Sequence, residues 1–326
     1  MRRCSSAPRA RPALALLACL VAAPPLAAAP AACGAPPTAA AAEAAEAAAG
    51  DWVVSFEDDF NGDALNESSW TASNFSSVVS QYDGHDALFI ADRVAVRGGN
   101  LVITTAWDPH TFDGVTYNMT SGWVDSKGKR NQTGGRFEAS IKMPSNESVG
   151  SWPAWWLLPE TTCWPVGGEV DVVEWYAGEG HFQHSRTDNP AQMSSSYHYG
   201  YSCGGDLYHY PNDTIWWPSG DWAPNYPIID FSADFHVFGV ELNASAVRFY
   251  VDNSTNTIFT LSAPQLCVTT PGFVYGQSMY MPWAPMYGIL NVAVNNGHDS
   301  SGWWHQNNAT TLIDWVRWYS FVPTGD

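Results

Sequence analysis

Gly168-Glu169-Val170-Asp171-Val172-Val173-Glu174 places three carboxylates inside a valine-rich run. β-Branched side chains favour an extended backbone over a helix, so the stretch reads as a strand. Side chains alternate between the two faces of a strand, which puts Glu169 and Asp171 on one side. Glu174 lies an odd number of steps from Glu169 and would fall on the other. One extra residue in a β-bulge at Val172-Val173 returns it to the first face, and all three acids then line one surface. With the bulge counted out, the two glutamates are about 13 Å apart at Cα. Side chains leaning toward each other leave about 5 Å between the carboxyls, close to the roughly 5–5.5 Å of retaining glycosidases and short of the wider gap that inverting enzymes need for a water. A helix would turn positions five apart about 140° from each other. An acidic edge strand kept soluble by its charges is the alternative reading of the same residues, so the surrounding sequence has to decide.

The neighbouring segments carry a resemblance. Glu169-Val170-Asp171-Val172-Val173-Glu174 resembles the E-x-D-x-x-E signature of glycoside hydrolase family 16 in its bulged, laminarinase-like form. Trp152-Pro153-Ala154-Trp155-Trp156-Leu157-Leu158 is similar to that family's W-P-A-x-W segment, and Trp164-Pro165 ahead of Gly167-Gly168 also fits. The resemblance extends along most of the chain. Phe56-Glu57-Asp58-Asp59-Phe60 looks like the opening strand, Gly134-Gly135-Arg136-Phe137-Glu138 like the G-R-F-E segment, and Asp314-Trp315-Val316-Arg317-Trp318-Tyr319 like a closing strand. One departure matters. Many relatives carry an arginine after Ser-Gly that points into the cleft, whereas this chain reads Ser121-Gly122-Trp123.

Taken in order, the chain opens on Met1-Arg2-Arg3, an apolar stretch from Ala13 to Ala23, and the A-x-A-like Ala27-Ala28-Ala29. That layout predicts a signal peptide over 1–29. A signal anchor is the other reading, although Pro24, Pro25 and Pro30 interrupt the roughly 20 apolar residues a membrane span needs. Residues 30–50 read as an alanine-rich spacer. From 51 to 326 the texture is that of one domain, rich in tryptophan, tyrosine and glycine, without internal repeats. Short alternating runs recur at Leu101-Val102-Ile103-Thr104-Thr105, Arg136–Ile141 and Val247–Val251, and long helical periodicity is missing. These runs predict an all-β sandwich of two antiparallel sheets. The resemblance implies a β-jelly roll with a substrate cleft on its concave face.

From Asp51 onward ten basic residues face thirty acidic ones. Such a surface repels polyanions, so nucleic acid and sulfated galactans are poor partners, while a neutral glucan is compatible. Cys163 and Cys203 flank the acidic strand and are expected to pair, with Cys267 free or joined to Cys33. Nine N-x-S/T triplets, at Asn66, Asn74, Asn118, Asn131, Asn146, Asn212, Asn243, Asn253 and Asn308, suggest a secreted glycoprotein. We expect a monomer that acts on polysaccharide, with no stable membrane insertion once the leader is removed.

The resemblance also implies roles. Glu169 would be the nucleophile, Glu174 the general acid and base, and Asp171 the group that holds and tunes the nucleophile. His198, in Ser196-Tyr197-His198-Tyr199-Gly200, resembles a cleft histidine beside the acid/base, and reads equally as a buried histidine of a tyrosine-rich strand. Trp156 and Trp164 match positions that stack on glucose rings, with Trp152 in support, since aromatic faces suit the C–H faces of sugars. Trp303 and Trp304 follow Asn295-Asn296-Gly297 and are candidates for closing one end of the cleft. No organic cofactor is implied. The resemblance suggests a structural calcium at Asp314, completed by backbone carbonyls; hydrogen bonding within a strand is the alternative. The expected activity is internal cleavage of β-1,3-glucan with retention. Two rivals stand beside it: a β-1,6-glucan transglycosylase, suggested by Pro285-Met286-Tyr287-Gly288-Ile289-Leu290-Asn291, and a non-catalytic glucan-binding protein, against which the two retained glutamates count.

Overall fold

Alternation of apolar and polar side chains shapes nearly all of the chain described by the computed structural model, which covers residues 50–76, 87–164, 166–177, 191–198, 212–217, 230–243, 246–262, 284–294 and 303–323. These residues belong to one unit, Ala35–Asp326. The expected leader and nearly all of the spacer lie outside the described residues, as do Cys33, Cys203 and Cys267.

The strands are, in order, β1 (Gly50–Asp58), β2 (Thr71–Ala72), β3 (Phe75–Ser76), β4 (Ala87–Phe89), β5 (Val94–Arg97), β6 (Asn100–Phe112), β7 (Val115–Ser121), β8 (Trp123–Asp125) and β9 (Gly135–Lys142). They continue as β10 (Ser151–Pro159), β11 (Glu169–Ala177), β12 (Ala191–His198), β13 (Asn212–Trp217), β14 (His236–Leu242), β15 (Ala246–Val251), β16 (Thr257–Ser262), β17 (Met286–Val294) and β18 (Asn308–Pro323). Two sheets result. The larger runs β16-β15-β14-β9-β18-β6-β7-β4-β3, with β1 on β18 and β5 on β6. The smaller runs β13-β12-β11-β10-β17-β8-β2. Pairing is antiparallel as expected, except that β4 runs parallel to β7.

The sheets meet through one core. From the smaller come Trp155, Leu157, Val170, Val173, Trp175, Tyr197 and Leu290; from the larger come Phe137, Ile141, Phe238, Phe249, Ile313 and Trp318. Burying side chains of this size contributes about 1.5–3 kcal/mol each. The three runs singled out in the sequence are β6, β9 and β15, and all three feed this core. Gly288 on β17 makes room for it: a Cβ there would lie 2.7 Å from the ring of Trp155 and 3.3 Å from Trp318. Trp155, on the strand beside β11, thus packs closely against β17. Trp155, Trp175 and Trp318 bury their indole N–H groups without a partner, so they act as bulk.

Candidate active site

The acidic strand begins at a turn that only glycine adopts without strain, Gly168 at φ +80°. Gly167 N–H bonds the Cys163 carbonyl at 2.9 Å, and within this turn Trp164 Nε1 donates to Glu169 Oε2. Cys163 is disulfide-bonded; its expected partner, Cys203, lies outside the described residues.

The bulge lies where the spacing placed it. Asp171 is level with Trp156 on β10 and Ser196 on β12, and Glu174 with Ala154 and Ser194. Between these pairs β11 spends two residues, Val172 and Val173, against one on each neighbour. Val170, Val172 and Val173 are consequently buried while Glu169 and Glu174 stay partly exposed on the opposite face. The odd backbone group has a dedicated partner: the buried Ser195 hydroxyl donates to the Val172 carbonyl at 2.8 Å.

Each acid is held differently. Glu174 accepts from Trp152 Nε1 at 3.1 Å and from the Ser194 hydroxyl at 3.2 Å. The Tyr176 hydroxyl hydrogen-bonds the same carboxylate, and its ring lies 5.0 Å from Trp152. Asp171, only 4% exposed, pairs with His198, Nε2 to Oδ2 at 2.9 Å. The resemblance had suggested a histidine beside the acid/base. The register instead puts His198 across from Glu169, and its ion pair is with Asp171.

Burial is the main reason that Glu169 rises to about 8 and Glu174 to about 7, and the Asp171 charge adds to both. For His198, burial pulls the pKa down, but the Asp171 carboxylate and its hydrogen bond outweigh this and lift it to about 9. These groups share one field, so protons leave the cluster as a set rather than residue by residue. Ligand atoms of Glu169, Asp171 and His198 lie within 4.8 Å of one another, a spacing that suits a metal ion. A protonated imidazole has no lone pair to offer, however, and already supplies the positive charge.

The remaining expected residues divide. Trp156 stands on the same face, its Nε1 donating to Asn291 Oδ1 at 2.7 Å. Trp303 is partly buried. It packs at the edge of a satellite cluster of Ala87, Met119, Val294, Trp304 and Ala309, in edge contact with Trp304 at 4.9 Å. Trp304 is buried and donates to the Val149 carbonyl. Asp314 sits at a register shift in β18, and among the described residues no trio of acidic, histidine or cysteine ligands gathers there. Sequence reasoning missed Ser194, Ser195, Tyr176 and Asn291. Tyr176 had a signal, being two positions past Glu174 and so on its face; the serines act through cross-strand register.

With this geometry in view, comparison with known proteins gives the family. The model described as the GH16 domain of β-porphyranases A–D matches residues 52–321. The chain belongs to glycoside hydrolase family 16. It is 26% identical over 292 residues to glucan endo-1,3-β-glucosidase A1 of Niallia circulans, covering 81% of this chain and 37% of that one. Glucan endo-1,3-β-glucosidase of Cryptopygus antarcticus is 27% identical over 218 residues, 63% of this chain and 68% of its own. The chain thus spans little more than a third of the first relative. The solved endo-β-1,3-glucanase of Pyrococcus furiosus shares the fold, with TM-score 0.63 at 24% identity over 84% of this chain and 96% of that one.

Two outcomes test the site's construction. Ser195→Ala orphans the Val172 carbonyl and should lower stability by about 1–3 kcal/mol in chemical denaturation; an unchanged midpoint contradicts a structural role for that bond. The second concerns pH. A glutamate whose proton binds more tightly in the folded chain stabilises it fully below the ordinary value of 4.5, and this is lost as pH rises toward 8. Glu169→Gln removes the loss. Relative to wild type it should gain about 1–2 kcal/mol between those pH values, after discounting for partial exposure. A difference that stays constant across the range contradicts the assignment.

Proposed function

We propose that this chain is an endo-acting hydrolase of β-1,3-glucan that works by double displacement with retention. The observation that carries the reading is the bulge at Val172-Val173, which sets Glu169 and Glu174 on one open face with Asp171 between them. Glu169 attacks the anomeric carbon and Glu174 protonates the departing oxygen, then activates the water that releases the sugar. Asp171, paired with the His198 cation, holds the neighbouring nucleophile in place. The named activities of the two glucan endo-1,3-β-glucosidases support the choice of linkage.

Proton placement needs one further step. Burial and the Asp171 charge raise both glutamates, so at rest the pair shares a retained proton. The reaction needs that proton on Glu174. A glycosidic oxygen docked against Glu174 accepts a hydrogen bond from its protonated form, and such a bond contributes about 0.5–1.5 kcal/mol. Substrate binding therefore draws the shared proton to where it is used.

A second reading rests on the family model's name: porphyran, a sulfated galactan, as substrate. The net charge of −18 opposes a sulfated chain, and we favour the neutral glucan on that ground. Transfer to a sugar acceptor uses the same covalent intermediate, so products decide between hydrolysis and transglycosylation. We further propose a secreted glycoprotein. Asn66, Asn74, Asn118, Asn131, Asn243, Asn253 and Asn308 are all exposed, which suits the modification. Among the described residues no helix is long and apolar enough to cross a membrane.

The purified protein, given laminarin, a β-1,6-glucan, a mixed-linkage glucan and porphyran in parallel, should shorten laminarin fastest and release the β-anomer first by proton NMR. Glu169→Gln and Glu174→Gln should each lower kcat by about a thousandfold or more, the scale of losing an essential catalytic group. Turnover of laminarin by Glu169→Gln at the wild-type rate, or first release of the α-anomer, overturns the mechanism. Products longer than the substrate replace hydrolysis with transfer.

A further inference from the structure

The open face of the smaller sheet continues beyond Trp156, across β17, to β8. There Trp123 stands three strands from β11, about 14 Å away at the usual strand spacing. This is the position at which the resemblance noted above leads one to expect arginine. The tryptophan is partly exposed and firmly held. Its Nε1 donates to Asp125 Oδ2 at 2.8 Å, and Asp125 in turn accepts from the Lys127 backbone at 3.1 Å. Phe89, 1% exposed, backs the ring at 5.4 Å.

Register shows how Trp123 and Trp156 interlock. Trp123 is level with Asn291, and Asp125 with Ile289, which is itself level with Trp156. Trp156 reaches sideways to Asn291, in the row of Trp123, and Trp123 reaches back to Asp125, in the row of Trp156. The rings meet at 5.4 Å and 88°, edge to face. They form a corner of two perpendicular walls whose orientations are fixed by side-chain bonds, so little rotamer freedom remains to be lost on binding.

We propose that Trp123, with Trp156 as its second wall, forms a distal glycosyl-binding corner, about 14 Å across the sheet from the catalytic strand, that favours a turning β-1,3-linked chain over a flat β-1,4 ribbon. The inference rests on the hydrolase reading above and names the part of the cleft that recognises linkage. Apolar C–H faces of pyranose rings pack on indole faces. A flat ribbon presents successive faces in one plane and suits coplanar platforms. A β-1,3 chain rotates from ring to ring, so the next sugar meets a wall set at right angles. Replacing arginine by tryptophan also removes a positive charge at this point, which suits a neutral glycan.

The test is length-resolved kinetics on laminari-oligosaccharides. Trp123→Ala should reduce kcat/KM for the hexasaccharide about tenfold more than for the trisaccharide, a tenfold effect being about 1.4 kcal/mol. Trp123→Phe, which keeps an aromatic face and lacks the N–H, should restore most of that difference and confirm that the fold tolerates the position. The preference for laminarin over mixed-linkage glucan should fall in parallel in Trp123→Ala. Equal losses at both lengths, or no loss at either, overturn the proposal. If the wild-type enzyme cleaves another polysaccharide and not laminarin, the glucan reading fails on its own. The same comparison on that polysaccharide's oligomers then decides whether Trp123 is a binding wall.

Discussion

One backbone irregularity reconciles two demands that a regular strand cannot meet together. β11 has to bury Val170, Val172 and Val173 in the core with Trp155, Trp175 and Tyr197, and also keep Glu169, Asp171 and Glu174 on the opposite face. In strict alternation, either Glu174 enters the core or a valine leaves it. Burying an unpaired carboxylate costs several kcal/mol, and exposing a valine forfeits about 1.5–3 kcal/mol. The bulge avoids both losses at the cost of one misaligned carbonyl, which Ser195 satisfies. Selection for a packed core and for a paired-carboxylate site thus acts on the same residue insertion.

The charges collected by that insertion explain the rest of the site. Three carboxylates in a partly buried patch repel one another, so the cluster keeps protons that exposed acids would release. His198 offsets part of this repulsion from the next strand. Indole groups do similar work in neutral form. Trp152 and Trp164 each donate to a glutamate, and Trp156 and Trp123 donate to Asn291 and Asp125. Trp155, Trp175 and Trp318, facing the core, have no such partners. Trp123, Trp152, Trp156 and Trp164 on the open face thus orient acids and build walls, while Trp155, Trp175 and Trp318 fill volume inside.

Much of this was legible in the chain itself. The offset of five between Glu169 and Glu174, set in valines, forced a bulge into the reading before any pairing was known. Alternation in β6, β9 and β15 marked the larger sheet. Contacts that depend on cross-strand register were not legible. Ser194 and Ser195 differ by one position, yet one holds Glu174 and the other the bulge carbonyl, a distinction set by which β11 residue each faces. The parallel pairing of β4 with β7 joins segments separated by a hairpin, and local periodicity carries no trace of it. Trp303 follows a polar loop, and its packing against a satellite cluster with residues on β4, β7, β17 and β18 could not be read from that position. Trp123 was visible only as a departure from a pattern; its meaning came from the perpendicular ring beside it.

The central claim is that the bulged strand presents Glu169 as the group that bonds covalently to the sugar. Incubating the enzyme with an activated 2-deoxy-2-fluoro glucoside of a β-1,3-linked disaccharide slows breakdown of the intermediate enough for mass spectrometry of proteolytic peptides. The account predicts one glycosyl adduct per chain, on the peptide containing Glu169 and mapped to that residue. An adduct on Glu174 or Asp171, or turnover of the reagent with no adduct and inverted product, contradicts it.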